Sequence, residues 1–421
     1  MDVFVIQGSC EGLKGRVCIS GSKNAALPIL AACLLTKEVC EIQNLPPLSD
    51  ICHMIALLRA YGAEAVYTEA EACLRIQTTE IRETEDTYET ERKLRASFLL
   101  AGALLGRCGF AKLSLPGGCQ IGSRPVDLHL KGFQILGVRN KQEHGLVELE
   151  AKQLRGGTVY LDFPSVGATE NIMLAAVLAK GQTTIENAAA EPEICDLAAF
   201  LRNMGADITG DGTDTIVISG VKELHGAVHR VIPDRIEAGT FMAAAAMTGG
   251  DILLEAVQEE HLKPVIAKLA ECNVKTESMA EGLRVYRRGR LQPTQLKTMP
   301  FPGFPTDMQA IFMSLMTVAK GTSVITETVF ENRFLDAGEL QRMGADIRID
   351  SRSAVIEGVE TLTGAKVRAT DLRAGAALLL SALAARGETE ISDIYHIERG
   401  YDRIEEKLQA LGASICRRTL G

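Results

Sequence analysis

The residues best suited to chemistry lie in the run Leu113-Ser-Leu-Pro-Gly-Gly-Cys-Gln-Ile-Gly-Ser-Arg-Pro-Val-Asp127. Cys119 follows a Pro-Gly-Gly turn, and Arg124 and Asp127 follow it at short range. Glycines let the backbone take positive φ and approach a ligand closely. A thiol on such a loop, beside an arginine, can have a lowered pKa and act as acid or nucleophile. The loop by itself is equally compatible with a surface turn that happens to carry a cysteine.

A second set of polar residues stands at the starts of apolar runs. These are Lys23 and Asn24; Arg95 and Ser97; Thr169, Glu170 and Asn171; Asp234, Arg235 and Glu237; Thr306 and Asp307; Thr370, Asp371 and Arg373. Capping of free helical N–H groups accounts for Thr169, Thr306 and Thr370. It does not account for Lys23, Arg95, Arg235 or Arg373, whose charge opposes the helix dipole. An anion bound among them would explain these cations. For Arg235 and Arg373, internal ion pairs with Asp234, Glu237 and Asp371 are the alternative. His129 reads as structural. There is no P-loop, no dinucleotide fingerprint in a strand–helix setting and no metal-ligand cluster, so neither metal nor cofactor is expected.

The elements that must position these residues repeat along the chain. A helix ends in a hydrophobic-Gly-small step at Tyr61-Gly62-Ala63, Leu136-Gly137-Val138, Met204-Gly205-Ala206, Met343-Gly344-Ala345 and Leu411-Gly412-Ala413. In one further copy Asn273 replaces the glycine, and Asn is the other residue that tolerates the left-handed cap. The spacings are 75, 68, 68, 71 and 68 residues, which marks internal duplication. Before each step lies an almost wholly apolar run: 25–35, 96–105, 172–179, 239–247, 308–319 and 374–385. Helices apolar all round are buried. The repeat reads as strand, buried helix, strand, outer helix, two strands.

The pattern of the closing strands, Val217-Ile-Ser-Gly220 with Leu224 and Gly226, recurs at Val355-Ile-Glu-Gly358 and at Val5-Ile-Gln-Gly8. The sixth copy stops soon after its Gly-Ala step, so the first 20 residues are expected to supply its closing strands. Three copies per domain give a first domain of 23–232 and a discontinuous second domain of 1–22 plus 233–421. The buried helices are expected to point their N-termini towards a cleft between the domains.

The bulk composition is that of a globular protein: 421 residues, 46% hydrophobic and 24% charged. A net charge of -9 argues against a nucleic-acid partner. No apolar run of about 18 residues suggests a membrane span. The N-terminus lacks the basic start of a signal peptide. Eleven scattered cysteines without a CxxC pair fit reduced thiols in a cytoplasm. Oligomeric state is not legible in the sequence.

Six such units, with Gly21-Ser-Lys-Asn-Ala-Ala-Leu-Pro28, resemble the enolpyruvyl transferases. The cysteine loop through His129 narrows the resemblance, as do Phe304-Pro-Thr-Asp-Met-Gln309, Glu327-Thr-Val-Phe-Glu-Asn-Arg-Phe334 and Tyr395-His-Ile-Glu-Arg-Gly-Tyr401. These point to the branch of the family that acts on UDP-N-acetylglucosamine. The branch acting on shikimate 3-phosphate shares the fold but lacks the loop cysteine. The resemblance covers essentially the whole chain.

It implies an α/β fold of two inside-out α/β barrel domains, built from six repeats, that close over the substrates. It also implies transfer of the enolpyruvyl group of phosphoenolpyruvate to the 3′-hydroxyl of UDP-N-acetylglucosamine. Phosphate is released, and the reaction is the first committed step of peptidoglycan synthesis. By motif, Cys119 is the lid cysteine that protonates the methylene carbon and is alkylated by the epoxide fosfomycin. Lys23, Arg124 and Arg399 would hold the phosphate and carboxylate of phosphoenolpyruvate. Asn24 and Asp307 would contact the sugar. Arg95, Pro125, Val126, Asp127, Leu128, Ser165, Val166, Gly167 and Val329 would line the nucleotide site, and Asp371 completes the substrate-binding set. Some members carry a basic residue in the stretch that reads Phe163-Pro164 here. An aspartate of ordinary pKa, about 3.9, is a weak base for a sugar hydroxyl, so Asp307 is expected mainly to orient it. The competing readings are transfer to another alcohol such as shikimate 3-phosphate, and a non-catalytic homologue that binds the nucleotide sugar.

Overall fold

In the computed structural model, residues 2–8, 11–82, 95–115 and 126–419 are described. Their twelve α-helices are of two kinds. The inner helices are α1 (Lys23–Ala32), α3 (Leu100–Cys108), α5 (Val166–Ala176), α7 (Arg235–Thr248), α9 (Gln309–Met316) and α11 (Leu372–Ala384). The outer helices are α2 (Ser49–Ala60), α4 (Asp127–Ile135), α6 (Pro192–Asn203), α8 (Lys263–Glu271), α10 (Ala337–Arg342) and α12 (Ile404–Ala410). Every residue of α9 is buried, as is α7 from Ile236 to Met247. By contrast, α8 buries only Val265 and Leu269, one helical turn apart.

Several inner helices start earlier than their apolar runs because a side chain caps them. Ser165 accepts the Ala168 N–H at 3.3 Å to begin α5, and Asp234 accepts those of Ile236 and Glu237 at 2.7 and 3.1 Å to begin α7. The outer helices end as their sequence requires. Gly62, Gly137, Gly205, Gly344 and Gly412 have φ of 95°, 89°, 99°, 90° and 95°, and Asn273 has 67°.

Six sheets are found among the described residues, five of four strands and one of three. The third copy shows the plan. Thr158–Tyr160 pairs in parallel with Gln182–Glu186 across α5, with Ile185 opposite Val159. Thr215–Ser219 then pairs antiparallel with Gln182–Glu186, and Asp207–Thr209 antiparallel with Thr215–Ser219. A parallel pair needs such a crossover, here supplied by the buried helix.

The first 20 residues do not serve one copy, as their pattern suggested. Asp2–Gln7 lies between Glu388–Ser392 and Ser414–Thr419 in the sixth sheet, with Phe4 opposite Ile391 and Arg417. Lys14–Cys18 joins the fourth sheet instead, parallel to Asp251–Glu255. Likewise Val228–Arg230 pairs in parallel with Cys40–Gln43 of the first copy. Among the described residues, the last strand after the second, third, fourth, fifth and sixth copies is thus the edge strand of another copy's sheet.

Contacts divide the described residues into two compact units, 2–20 with 233–419, and 21–115 with 126–232. Each has its own apolar core around its inner helices. In the unit 21–232, α3 and α5 come close enough that a Cβ on Gly102 would stand 2.2 Å from the Asn171 carbonyl oxygen. Among the described residues no helix is long and apolar enough to cross a membrane.

Candidate active site

In the unit 21–232, Ser22 caps α1 by accepting the Ala25 N–H at 3.3 Å, which places Lys23 in the first turn. Its Nζ lies 3.1 Å from Asp50 Oδ2, with both side chains buried. Asp50 was not visible as a site residue in the sequence: it reads there as an acid favoured by the dipole at the start of α2. Asn24 is half-buried beside Lys23. Arg95 opens the 3₁₀ turn Arg95–Leu99, but its side chain lies outside the described residues. Cys119, Arg124 and Pro125 lie outside them altogether.

Val126, Asp127 and Leu128 form the start of α4, with Asp127 exposed. Ser165, Val166 and Gly167 form the half-buried start of α5. Ser165 is the cap, and Thr169, expected to cap, is one turn inside the helix. Its hydroxyl donates to the Ser165 carbonyl at 2.8 Å and accepts the Ala189 N–H at 3.1 Å. His129 joins these elements. Asn171 accepts the Gly102 N–H through Oδ1 at 2.7 Å, which fixes its amide. Its Nδ2 therefore donates to His129 Nδ1 at 2.9 Å and to the Phe98 carbonyl at 2.9 Å. Burial pushes the His129 pKa down to about 4, so the ring is neutral at pH 7 and structural. Glu170 is buried, and its carboxyl is pushed well above the usual range by burial, then by the charges of Glu193 and Glu191.

In the unit 2–20 with 233–419, the central feature is Asp307 between two arginines. Arg333 Nη2 donates to Asp307 Oδ1 at 2.7 Å, and Arg373 Nη2 to Oδ2 at 2.9 Å. The arginine side chains are 5% and 4% exposed, while that of Asp307 keeps 27%. Burial opposes its charge, yet the Arg373 and Arg333 guanidiniums hold its pKa well below the ordinary value. That makes Asp307 a still weaker base and a better fixed acceptor.

The alternative reading, an ion pair of Arg373 with Asp371, is not found; its partner is Asp307. Asp371 caps α11, accepting the Arg373 and Ala374 N–H groups at 2.8 and 3.1 Å. Arg373 lies over the Tyr401 ring at 5.4 Å, and Tyr401 Oη is 2.9 Å from the Thr240 hydroxyl. Nε and Nη1 of Arg373 are buried with no hydrogen-bond partner among the described residues. A buried guanidinium with idle donors is suited to an anionic ligand. Arg235 lies over Phe301 at 5.8 Å, and Glu237 pairs with Lys407 at 2.6 Å.

Thr306 and Thr370 are not caps either. Thr306 sits in the 3₁₀ turn Thr306–Met308, where its hydroxyl donates to Glu327 at 2.9 Å and accepts from Arg333 Nη1 at 3.0 Å. The Thr370 hydroxyl has no partner among the described residues. Val329 is half-buried, and its N–H donates to Glu327 at 2.7 Å. Arg399 ends the 3₁₀ turn Ile394–Arg399 and is half-buried. Sequence reasoning also passed over Asp336. It is 1% exposed, and burial, then the charge of Asp371, pushes it up to about 8.

Residues 9–408 match the family described as EPSP synthase (3-phosphoshikimate 1-carboxyvinyltransferase), and the chain belongs to that family. Within it, the chain is 58% identical over 415 residues to UDP-N-acetylglucosamine 1-carboxyvinyltransferase 1 of Caldanaerobacter subterraneus subsp. tengcongensis, covering 99% of each. It is 58% identical over 419 residues to UDP-N-acetylglucosamine 1-carboxyvinyltransferase 2 of Carboxydothermus hydrogenoformans, again covering 99% of each. The enolpyruvyl transferase NikO of Streptomyces tendae superposes with a TM-score of 0.90 at 28% identity, over 100% of this chain and 99% of the other. EPSP synthase of Acinetobacter baumannii superposes with a TM-score of 0.77 over the full length of both chains, at 19% identity, and shares the fold.

Proposed function

We propose that the protein transfers the enolpyruvyl group of phosphoenolpyruvate to the 3′-hydroxyl of UDP-N-acetylglucosamine, releasing phosphate, as the first committed step of peptidoglycan synthesis. The observation that carries this reading is the 58% identity, over 99% of both chains, to proteins named for that activity.

In this reading Lys23, Arg124 and Arg399 gather the phosphate and carboxylate of phosphoenolpyruvate. A protein of net charge -9 needs such a local cluster to hold so anionic a substrate. Arg373, with its idle buried donors, joins them. Asn24 and Asp307 contact the sugar, while Arg95, Pro125 to Leu128, Ser165 to Gly167, Val329 and Asp371 complete the binding set. Cys119 delivers a proton to the methylene carbon as the sugar oxygen adds to the neighbouring carbon. Loss of phosphate and of a methyl proton then restores the double bond as an enol ether. Asp307, held ionised between Arg333 and Arg373, accepts a hydrogen bond from the 3′-hydroxyl and orients it for attack. Its low pKa suits that role better than full proton removal in the ground state.

The α/β fold is read as two inside-out barrel domains of three repeats each, residues 23–232 and 1–22 with 233–421, in a cytoplasmic protein without nucleic-acid or membrane partners. A phosphate-release assay with phosphoenolpyruvate tests the function. UDP-N-acetylglucosamine should support release and shikimate 3-phosphate should not. Release only with shikimate 3-phosphate, or with neither acceptor, would overturn the reading.

A further inference from the structure

Glu327 has no role in the assignments above, yet both substrate-facing turns of its unit hang from it. It is 1% exposed and follows the strand Thr322–Thr326. Its Oε1 accepts the Thr298 hydroxyl at 2.9 Å and the N–H groups of Val329 and Phe330 at 2.7 and 3.1 Å. Its Oε2 accepts the Thr306 hydroxyl at 2.9 Å. That hydroxyl in turn accepts Arg333 Nη1 at 3.0 Å, and Arg333 Nη2 reaches Asp307 at 2.7 Å. All four donors to Glu327 are neutral. A buried carboxylate is costly unless its oxygens are satisfied, and bonds to a charged acceptor are about twice as strong as neutral ones.

We propose that Glu327 is a positioning residue for the transfer, locking the Thr306–Met308 turn and the Val329–Phe330 turn into one body so that Asp307 and Val329 meet the nucleotide sugar in a fixed geometry. The inference rests on the assignment of those two residues to the nucleotide sugar. Glu327 acts through them and touches no substrate. Its charge also polarises the Thr306 hydroxyl, whose lone pair then receives Arg333. Arg333 thereby presents its second nitrogen to Asp307 at a set angle.

Two substitutions break this chain at different links. In Glu327→Gln, an amide nitrogen placed towards Thr306 donates where an acceptor is needed, so the Thr306 hydroxyl faces two donors and has nowhere to send its own proton. Placed the other way, the amide opposes three donors. Thr306→Val keeps the shape and the buried carboxylate but removes the hydroxyl between Glu327 and Arg333.

The test measures UDP-N-acetylglucosamine binding by calorimetry, both Michaelis constants and the melting temperature for wild type, each variant and the double variant. Misplacing a reacting group by about 1 Å can cost roughly 10²-fold. Glu327→Gln should therefore lower kcat/KM for the nucleotide sugar by roughly 10- to 100-fold and weaken its binding about tenfold. The KM for phosphoenolpyruvate should stay within about twofold. Thr306→Val should act in the same direction, and the double variant should be little worse than the worse single one, because both break one chain. Unchanged nucleotide-sugar binding and kinetics in both variants would overturn the inference. So would equal losses for both substrates that track a fall in melting temperature, the mark of a merely structural role. Should Glu327→Gln not fold, Thr306→Val decides alone, since it leaves the carboxylate with three donors. A wild type that binds the nucleotide sugar but releases no phosphate would defeat the proposed function, while the binding comparison would still decide the role of Glu327.

Discussion

Asp307→Asn should destabilise the protein by an amount set by the two arginines it leaves behind. Arg333 and Arg373 are 5% and 4% exposed and converge on one carboxylate at 2.7 and 2.9 Å. Removing one partner of a buried pair costs about 3–5 kcal/mol, because a buried charge is left uncompensated. The 27% exposure of the Asp307 side chain places the cost near the lower end, about 3 kcal/mol. For domains of roughly 150–250 residues, 1 kcal/mol moves Tm by about 2–4 °C. Calorimetry at pH 7 should therefore show a drop of roughly 6–12 °C. The pH dependence gives a second handle. A carboxyl whose folded pKa lies below its unfolded value stabilises fully above the unfolded value, about 3.9, and loses this as pH falls through the folded one. The gap between wild type and variant should stay level from pH 5 to 8 and close only in acid. A gap under about 2 °C, or one that changes steadily between pH 5 and 8, would refute the reasoning.

Other outcomes follow from the same structure. Fosfomycin should label the loop cysteine Cys119 and spare Cys195 and Cys272, which are pushed up to about 11 and about 12, chiefly by burial, and so hold little thiolate at pH 7. Peptide mapping that finds the adduct on another cysteine would count against this, and Cys119→Asp should stay active yet resist the drug. Arg399→Ala should weaken the phosphoenolpyruvate step by about 2–5 kcal/mol and spare UDP-N-acetylglucosamine binding; equal losses by calorimetry would sink the assignment. Asp336, at about 8 in the folded protein, favours folding fully below its unfolded pKa, and that contribution is lost as pH rises through 8. Asp336→Asn should therefore raise Tm at pH 8 by at least roughly 2–4 °C and flatten its decline with pH, and a lower Tm for the variant at pH 8 would contradict the burial argument.

What the sequence by itself determined was local or periodic. The left-handed cap at each Gly step, with Asn273 as its one substitute, follows from backbone sterics within a few residues. Helices apolar all round had to be buried wherever they packed. The long motifs carried the family. Tertiary structure alone decided which strand each copy borrows. The Lys14–Cys18 strand looks like the end of one copy and pairs in another, because an edge strand's partner depends on which sheet edge the packed elements bring beside it. It also decided which polar residues are caps and which are machinery. Thr169, Thr306 and Thr370 have cap-like types in cap-like places, yet Ser165 and Asp371 do the capping, since a cap depends on one residue's φ and ψ at the turn. Asp307 meets arginines 26 and 66 residues away, and Glu327 meets Thr298 across 29. Pairings at such separations leave no period and no spacing in the chain. They exist only because buried charges must find partners once the turns, strands and helices that carry them have packed.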